Sequence, residues 1–162
     1  MLKSGVEMGY IFKIGNAKPH FSKADFPYLD ARWRVEDVKI ESAPDFPNDF
    51  GGKSNMRMPS YTVWFSFCQN VGLFEFFYDE TNRLRADHPG CIGITQEDVD
   101  LVSEALRVYQ SKATLPAGFE SSDILKDDHI PSCDGDLARL MWLEWWMRWA
   151  LENCQTPAIE NY

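Results

Sequence analysis

Four of the chain's six tryptophans fall within the eight residues Trp142-Leu-Glu-Trp-Trp-Met-Arg-Trp149. Positions i, i+3, i+4 and i+7 share one face of an α-helix, and Trp142, Trp145, Trp146 and Trp149 occupy them without exception. At about 100° per residue, Leu140, Leu143, Met147, Leu151 and Cys154 gather on nearly the opposite face. Glu144, Arg148 and Glu152 are left a narrow strip between the two, and each acid stands four residues from the arginine, close enough to pair with it. Such a helix is apolar on two sides and has to be covered on both. Each indole can bury ~150–250 Å², so the stripe amounts to roughly 600–1,000 Å², against ~300–600 Å² for the largest apolar patch on a soluble monomer. The first expectation for the cover is the rest of the same chain, since aromatic stripes are mostly core. A second copy is the next. A ligand such as a sugar or a quaternary ammonium comes third, because only Arg139 and Asn153 adjoin the rings.

The helix carrying this stripe is expected over about 135–154, with the Asp134 carboxylate as its N-cap, Asp136 favouring the same end and Pro157 as a stop. A second helix is expected over about 96–112. Thr95-Gln-Glu-Asp98 has cap spacing, Val99, Val102, Leu106 and Tyr109 recur at helical intervals, and Pro116 lies beyond. The N-terminal third reads as strands with long loops: a strand over Gly9–Gly15 and another over Trp33–Glu41, interrupted at Glu36-Asp37. Ser60–Tyr78 supports two readings. As strands, Tyr61, Val63, Phe65 and Phe67 line one face, and Phe74, Phe76 and Tyr78 another after a turn. As a helix, Ser60 caps, Tyr61, Trp64, Cys68 and Val71 form the stripe, and Gly72 ends it before Leu73. Strands first and helices later give an α+β fold, and 162 residues suit a single globular domain spanning 1–162.

Net charge is −9, and the short basic clusters Arg32/Arg34, Lys53/Arg57 and Arg83/Arg85 are diluted by neighbouring acids. Nucleic acid and anionic membrane surfaces, which both select a basic face, are therefore not expected as partners. A DNA mimic would lay its acids out in blocks, whereas here they alternate with aromatics and bases. The first ten residues lack the apolar core of a signal peptide, and no run of about 18 apolar residues exists. A cytoplasmic location is the default, with Cys68, Cys91, Cys133 and Cys154 reduced.

Chemistry has one main candidate. His88-Pro-Gly-Cys91 and His129-Ile-Pro-Ser-Cys133 have ligand-like spacing, and zinc accepts such sets tetrahedrally. The order His-Cys…His-Cys is not a common zinc signature, and a helix separates the pairs. Cys91, close after Asp87-His88, is also weighed as a nucleophile. Gly51-Gly-Lys-Ser54 is no phosphate loop: Pro47 stands where the motif needs glycine, and Pro59 interrupts the helix that should follow. Asp123, Asp127, Asp128, Asp134 and Asp136 lack the spacing of a calcium loop, and His20 stands alone. The reading that results is a non-enzymatic interaction or assembly protein, a homodimer among the options, with no cofactor expected. The alternative is a small zinc-dependent or cysteine-based enzyme at the 87–91 and 127–136 loops.

Overall fold

The computed structural model describes residues 9–45, 49, 52–112 and 135–162, and the fold is α+β. In chain order the elements are β1 (Phe12–Pro19), β2 (Trp33–Val35), β3 (Met56–Arg57), α1 (Tyr61–Val71), α2 (Phe74–Phe77), β4 (Gly90–Gly93), α3 (Gln96–Lys112), α4 (Gly135–Asn153) and β5 (Pro157–Asn161). The sheet is antiparallel in the order β2-β1-β5-β4, and β3 pairs with the start of β1. Three of these strands escape a sequence reading, the two-residue β3 because it lies inside what reads as a long loop. β5 was expected only as a stop after the last helix, and β4 is Gly-Cys-Ile-Gly, with little strand propensity of its own. Pairing partners supply what local preference does not.

The expected N-terminal strands are present with shifted bounds. β1 runs past Gly15 instead of ending there, because a bare Cα at this position lets the Asn55 amide and Val35 pack close against it. The Trp33–Glu41 strand stops at Val35. Beyond it the buried Asn55 side chain takes over the backbone bonds, accepting from Val38 N–H at 2.9 Å and donating to the Glu36 and Ile14 carbonyls at 2.8 and 3.0 Å.

Between Ser60 and Tyr78 the helix reading holds, with α1 followed by the short α2. The Ser60 hydroxyl accepts from Val63 N–H, and Gly72 closes α1 in the left-handed conformation (φ 79°) that favours glycine. Trp64, Phe67, Cys68 and Val71 form its buried face, and Leu73 is buried just beyond. At α3 the reciprocal cap is present: Thr95 N–H donates to the Asp98 carboxylate, and Asp98 N–H to the Thr95 hydroxyl. The Asp134 cap expected for α4 lies outside the described residues.

Strand alternation divides the core in two. Phe12, Ile14 and Ile159 face the helices and join Trp64, Phe67, Val102, Leu140, Leu143 and Trp146 in the main cluster. Ala17, Ala158 and Cys91 face the other way, beneath Leu29 and Val35. α4 lies between β1 and β5 on one side and α3 on the other, which explains an apolar surface on both of its sides. Among the described residues no helix is long and apolar enough to cross a membrane.

The tryptophan stripe is split by this arrangement. Trp142 and Trp146 are fully buried, whereas Trp145 and Trp149 are half-buried at the margin of the same core. The Trp146 ring packs edge-on with both of its half-buried neighbours, centroids 5.0 and 5.3 Å apart. Trp142 donates its indole N–H to the Ser54 carbonyl at 3.3 Å.

Candidate functional site

An antiparallel sheet brings the start of β1, the end of β5 and the start of β4 to one end. α1 begins at the same end, because Tyr10 N–H bonds the Pro59 carbonyl just before the helix. Tyr10, Tyr61, His88 and Asn161 therefore meet there. With Asn82, Arg83, Leu84 and Asp87, the two tyrosines and His88 line an open cleft of about 490 Å³.

The histidine in it is held at both nitrogens. His88 Nδ1 lies 2.7 Å from Asn161 Oδ1, and Nε2 lies 3.1 Å from the Tyr61 hydroxyl. Asn161 Nδ2 donates to the Asp87 carbonyl at 2.8 Å, which fixes the amide's orientation. Its oxygen is thereby turned to the imidazole, so Nδ1 carries the proton and donates. In the neutral ring Nε2 is then an acceptor, and Tyr61 donates to it. The turn that presents His88 is tight: a Cβ on Gly90 would fall 1.6 Å from the Ala86 carbonyl oxygen, so no other residue fits there.

Tyr10 packs edge-to-face against Tyr61 and His88, with centroids 4.6 and 4.9 Å away. Behind it, its hydroxyl lies 3.5 Å from that of Tyr78. Burial raises the pKa of both Tyr10 and Tyr78, so both remain neutral phenols. The opposite rim is the turn between Tyr78 and Leu84. Asp79 Oδ1 accepts from the Thr81 hydroxyl at 2.6 Å and from the backbone N–H groups of Thr81 and Arg83 at 2.8 and 3.1 Å. Asn82 and Asp87 both hold positive φ, 63° and 65°, a conformation that Asn and Asp tolerate better than other side chains do.

The hydrogen bonds to Asp79 hold its carboxyl below the usual range, the Thr81 hydroxyl contributing most. A carboxylate whose pKa is lowered by folding adds stability above its unfolded value of ~3.9 and loses it as pH falls through the lower folded value. The rim is therefore expected to keep its shape between pH 5 and 8 and to loosen only in stronger acid. Amide-proton exchange at Thr81 and Arg83 checks this, and loosening already at pH 6 would contradict it.

Compared with known proteins, the chain matches no family model, no curated protein and no solved structure. The site has to be read from its own residues.

Of the two described members of the His/Cys set singled out by spacing, His88 reaches the cleft and Cys91 does not. Cys91 sits opposite Glu160 in the β4–β5 ladder, and directly opposed residues share a face. That face carries the second core cluster, whereas Asn161, the partner of His88, is one residue further along β5 and points the other way. His88 and Cys91 thus do not converge, despite the x₂ spacing. His129 and Cys133 lie outside the described residues. Among the described residues, no three His, Cys, Asp or Glu side chains come together in a metal-binding group.

The thiols are not presented as nucleophiles either. Burial, with the nearby Glu160 carboxylate, pushes the Cys91 thiol up to about 12. Burial likewise raises Cys68, with Asp136 adding to it, and takes the half-buried Cys154 to about 11. A thiolate is the reactive form. Iodoacetamide should therefore label Cys154 ahead of Cys68 and Cys91 in the native protein, as read by peptide mass spectrometry. Early labelling of Cys91 would restore the nucleophile reading.

Tyr10, Tyr61 and Asn161 were missed as site residues because nothing in their sequence context distinguishes them. They come from three distant segments and acquire meaning only through the sheet register.

Proposed function

We propose that this chain is a non-enzymatic interaction protein and that it recognises a protein partner through the cleft at the 78–88 turn. One observation carries the reading: a histidine exposed to solvent is locked at both ring nitrogens, between a tyrosine and a buried asparagine. Groups fixed before binding lose little freedom on binding. Tyrosine and arginine, both present in the lining, are enriched at binding hot spots. Among the described residues, the imidazole is occupied and the thiols have raised pKa values, so none of them is displayed as an activated nucleophile. Peptide-display selection on the immobilised protein, with Tyr61→Ala as counter-screen, tests it. Enriched peptides should bind the wild-type chain and not the variant; peptides indifferent to Tyr61 would sink the proposal.

Self-association is the lesser route. With Trp142 and Trp146 inside, a second copy would find only the half-buried Trp145 and Trp149 on that helix. Light scattering with elemental analysis is expected to return a metal-free monomer. A dimer would move the function to α4. About one zinc per chain would revive the set of His88, Cys91, His129 and Cys133, which would then have to rearrange to share an ion.

A further inference from the structure

The hydrogen bonds behind the cleft form a chain with a direction, and its far end fixes that direction. A backbone carbonyl can only accept, so Asn161 must donate to Asp87 with its nitrogen and accept from His88 with its oxygen. His88 then accepts at Nε2, and the hydroxyl hydrogen of Tyr61 is committed to it. What Tyr61 has left to offer the cleft is a lone pair. Its Oη is an acceptor there and not a donor. Asp87 lines the same cleft, and its carboxylate is an acceptor too.

We infer that the cleft takes an N–H-bearing cation, the guanidinium or ammonium group of an arginine or lysine on a basic partner protein, with Tyr61 Oη and the Asp87 carboxylate as its acceptors. This rests on the interaction reading above and names the chemistry of the partner. The chain's net charge of −9 favours the same sign of partner.

Ring geometry narrows the class further. Tyr10, Tyr61 and His88 are steeply inclined to one another, at 63°, 81° and 85°, which superficially resembles the corner of an aromatic cage. A cation seated ~4–5 Å above two perpendicular faces needs their centroids roughly 6 Å or more apart. Here they are 4.6, 4.9 and 5.7 Å apart, so the rings fill the corner themselves. A quaternary ammonium, which has no N–H, has neither a cage nor a hydrogen bond to gain.

Arg83 lines the cleft with the opposite bias, and this makes the test signed. Its removal should strengthen the binding of a cation and abolish that of an anion. The experiment is an NMR titration of the full chain at pH 8, where imidazole is neutral, with methylguanidinium, tetramethylammonium, acetate and inorganic phosphate as separate probes. Nitrogen shifts should first show His88 protonated at Nδ1. Methylguanidinium should then move the signals of Tyr61 and His88, while tetramethylammonium leaves them in place. Tyr61→Phe, which removes one oxygen and nothing else, should abolish the response. Asp87→Asn should weaken it and Arg83→Ala strengthen it, each by roughly two- to fivefold as for exposed charges. An Nε2-protonated His88, a methylguanidinium response undiminished in Tyr61→Phe, or acetate or phosphate binding that Arg83→Ala abolishes would each overturn the inference. In the last case the display selection would still return Tyr61-dependent peptides, now acidic ones, and the interaction reading would stand without this chemistry. Loss of both results would remove the two together.

Discussion

Trp146→Ala should lower the free energy of unfolding by about 3–5 kcal/mol, the usual cost of truncating a buried aromatic side chain. The ring is fully buried in the main core cluster, on a helix that lies between the sheet and α3, and its removal leaves a cavity that the surrounding side chains would have to close. Domains of this kind are stable by only ~5–15 kcal/mol, so the variant is expected to sit near the edge of folding at 37 °C. Trp145→Ala, half-buried on the same helix, should cost roughly 1–2 kcal/mol, in proportion to the smaller area it removes from water. Urea unfolding followed by circular dichroism measures both. Equal losses at the two positions would mean that the stripe is covered from outside, by another molecule, and not by this chain alone.

Asp49→Ala should be as damaging, for an electrostatic reason. The Asp49 carboxylate takes two bonds from Arg139, Nε to Oδ2 at 2.8 Å and Nη2 to Oδ1 at 3.2 Å, and lies 3.8 Å from Arg57 Nε. The Arg57 side chain is fully buried, with its guanidinium 5.6 Å from the centre of the Trp142 ring, and that of Arg139 is only 8% exposed. Asp136 supplies the second carboxylate, 3.3 Å from Arg139, and accepts in turn from Asn70 on α1. Arg57 and Arg139 are both buried beside Asp49, and removing its carboxylate takes two charge-assisted bonds from Arg139 in a poorly solvated place. Breaking such a pair from one side costs about 3–5 kcal/mol. Because the group is buried, little of the loss should respond to salt, and unfolding curves at roughly 0.05 and 0.5 M sodium chloride should shift in parallel for wild type and variant. A loss that salt erased would place Asp49 at the surface instead.

What could be read in advance follows from where the information is stored. α3 was legible because its cap and apolar period lie within one stretch of chain, α4 because of its apolar periods, and the Ser60 and Gly72 ends of α1 were legible as one of two readings. The choice between them was not, since Tyr61–Phe67 carries aromatic and β-branched residues that suit either period. β4 and β5 were hidden because four or five residues with glycine or proline at the ends say little until a neighbour pairs with them. The cleft was hidden for the same reason at greater range. His88 was singled out, but for a metal shared with Cys91, and one residue of strand alternation sends those two to opposite faces. Its actual companions, Tyr61 and Asn161, are 27 and 73 residues away. The aromatic stripe was legible as something that must be covered, but its periodicity could not say which two rings would be sealed and which left at the margin.

The position of β5 also sets a clock. Ile14 of β1 pairs with Ile159, a partner made about 145 residues later. At ~5–20 residues per second, the ribosome takes roughly 7–30 s to close that interval. Once Gly90–Gly93 has been made, β1 and β4 flank an empty lane in the sheet, and the Asn161 that orients His88 does not yet exist. α1 and α3 can form early from local signals, but the sheet and the cleft complete together, once β5 has been made. A stop codon ahead of β5 would therefore remove the strand that joins β1 to β4. It would leave a nascent chain with its helices in hand, a gap through the middle of its sheet and no means of holding its histidine.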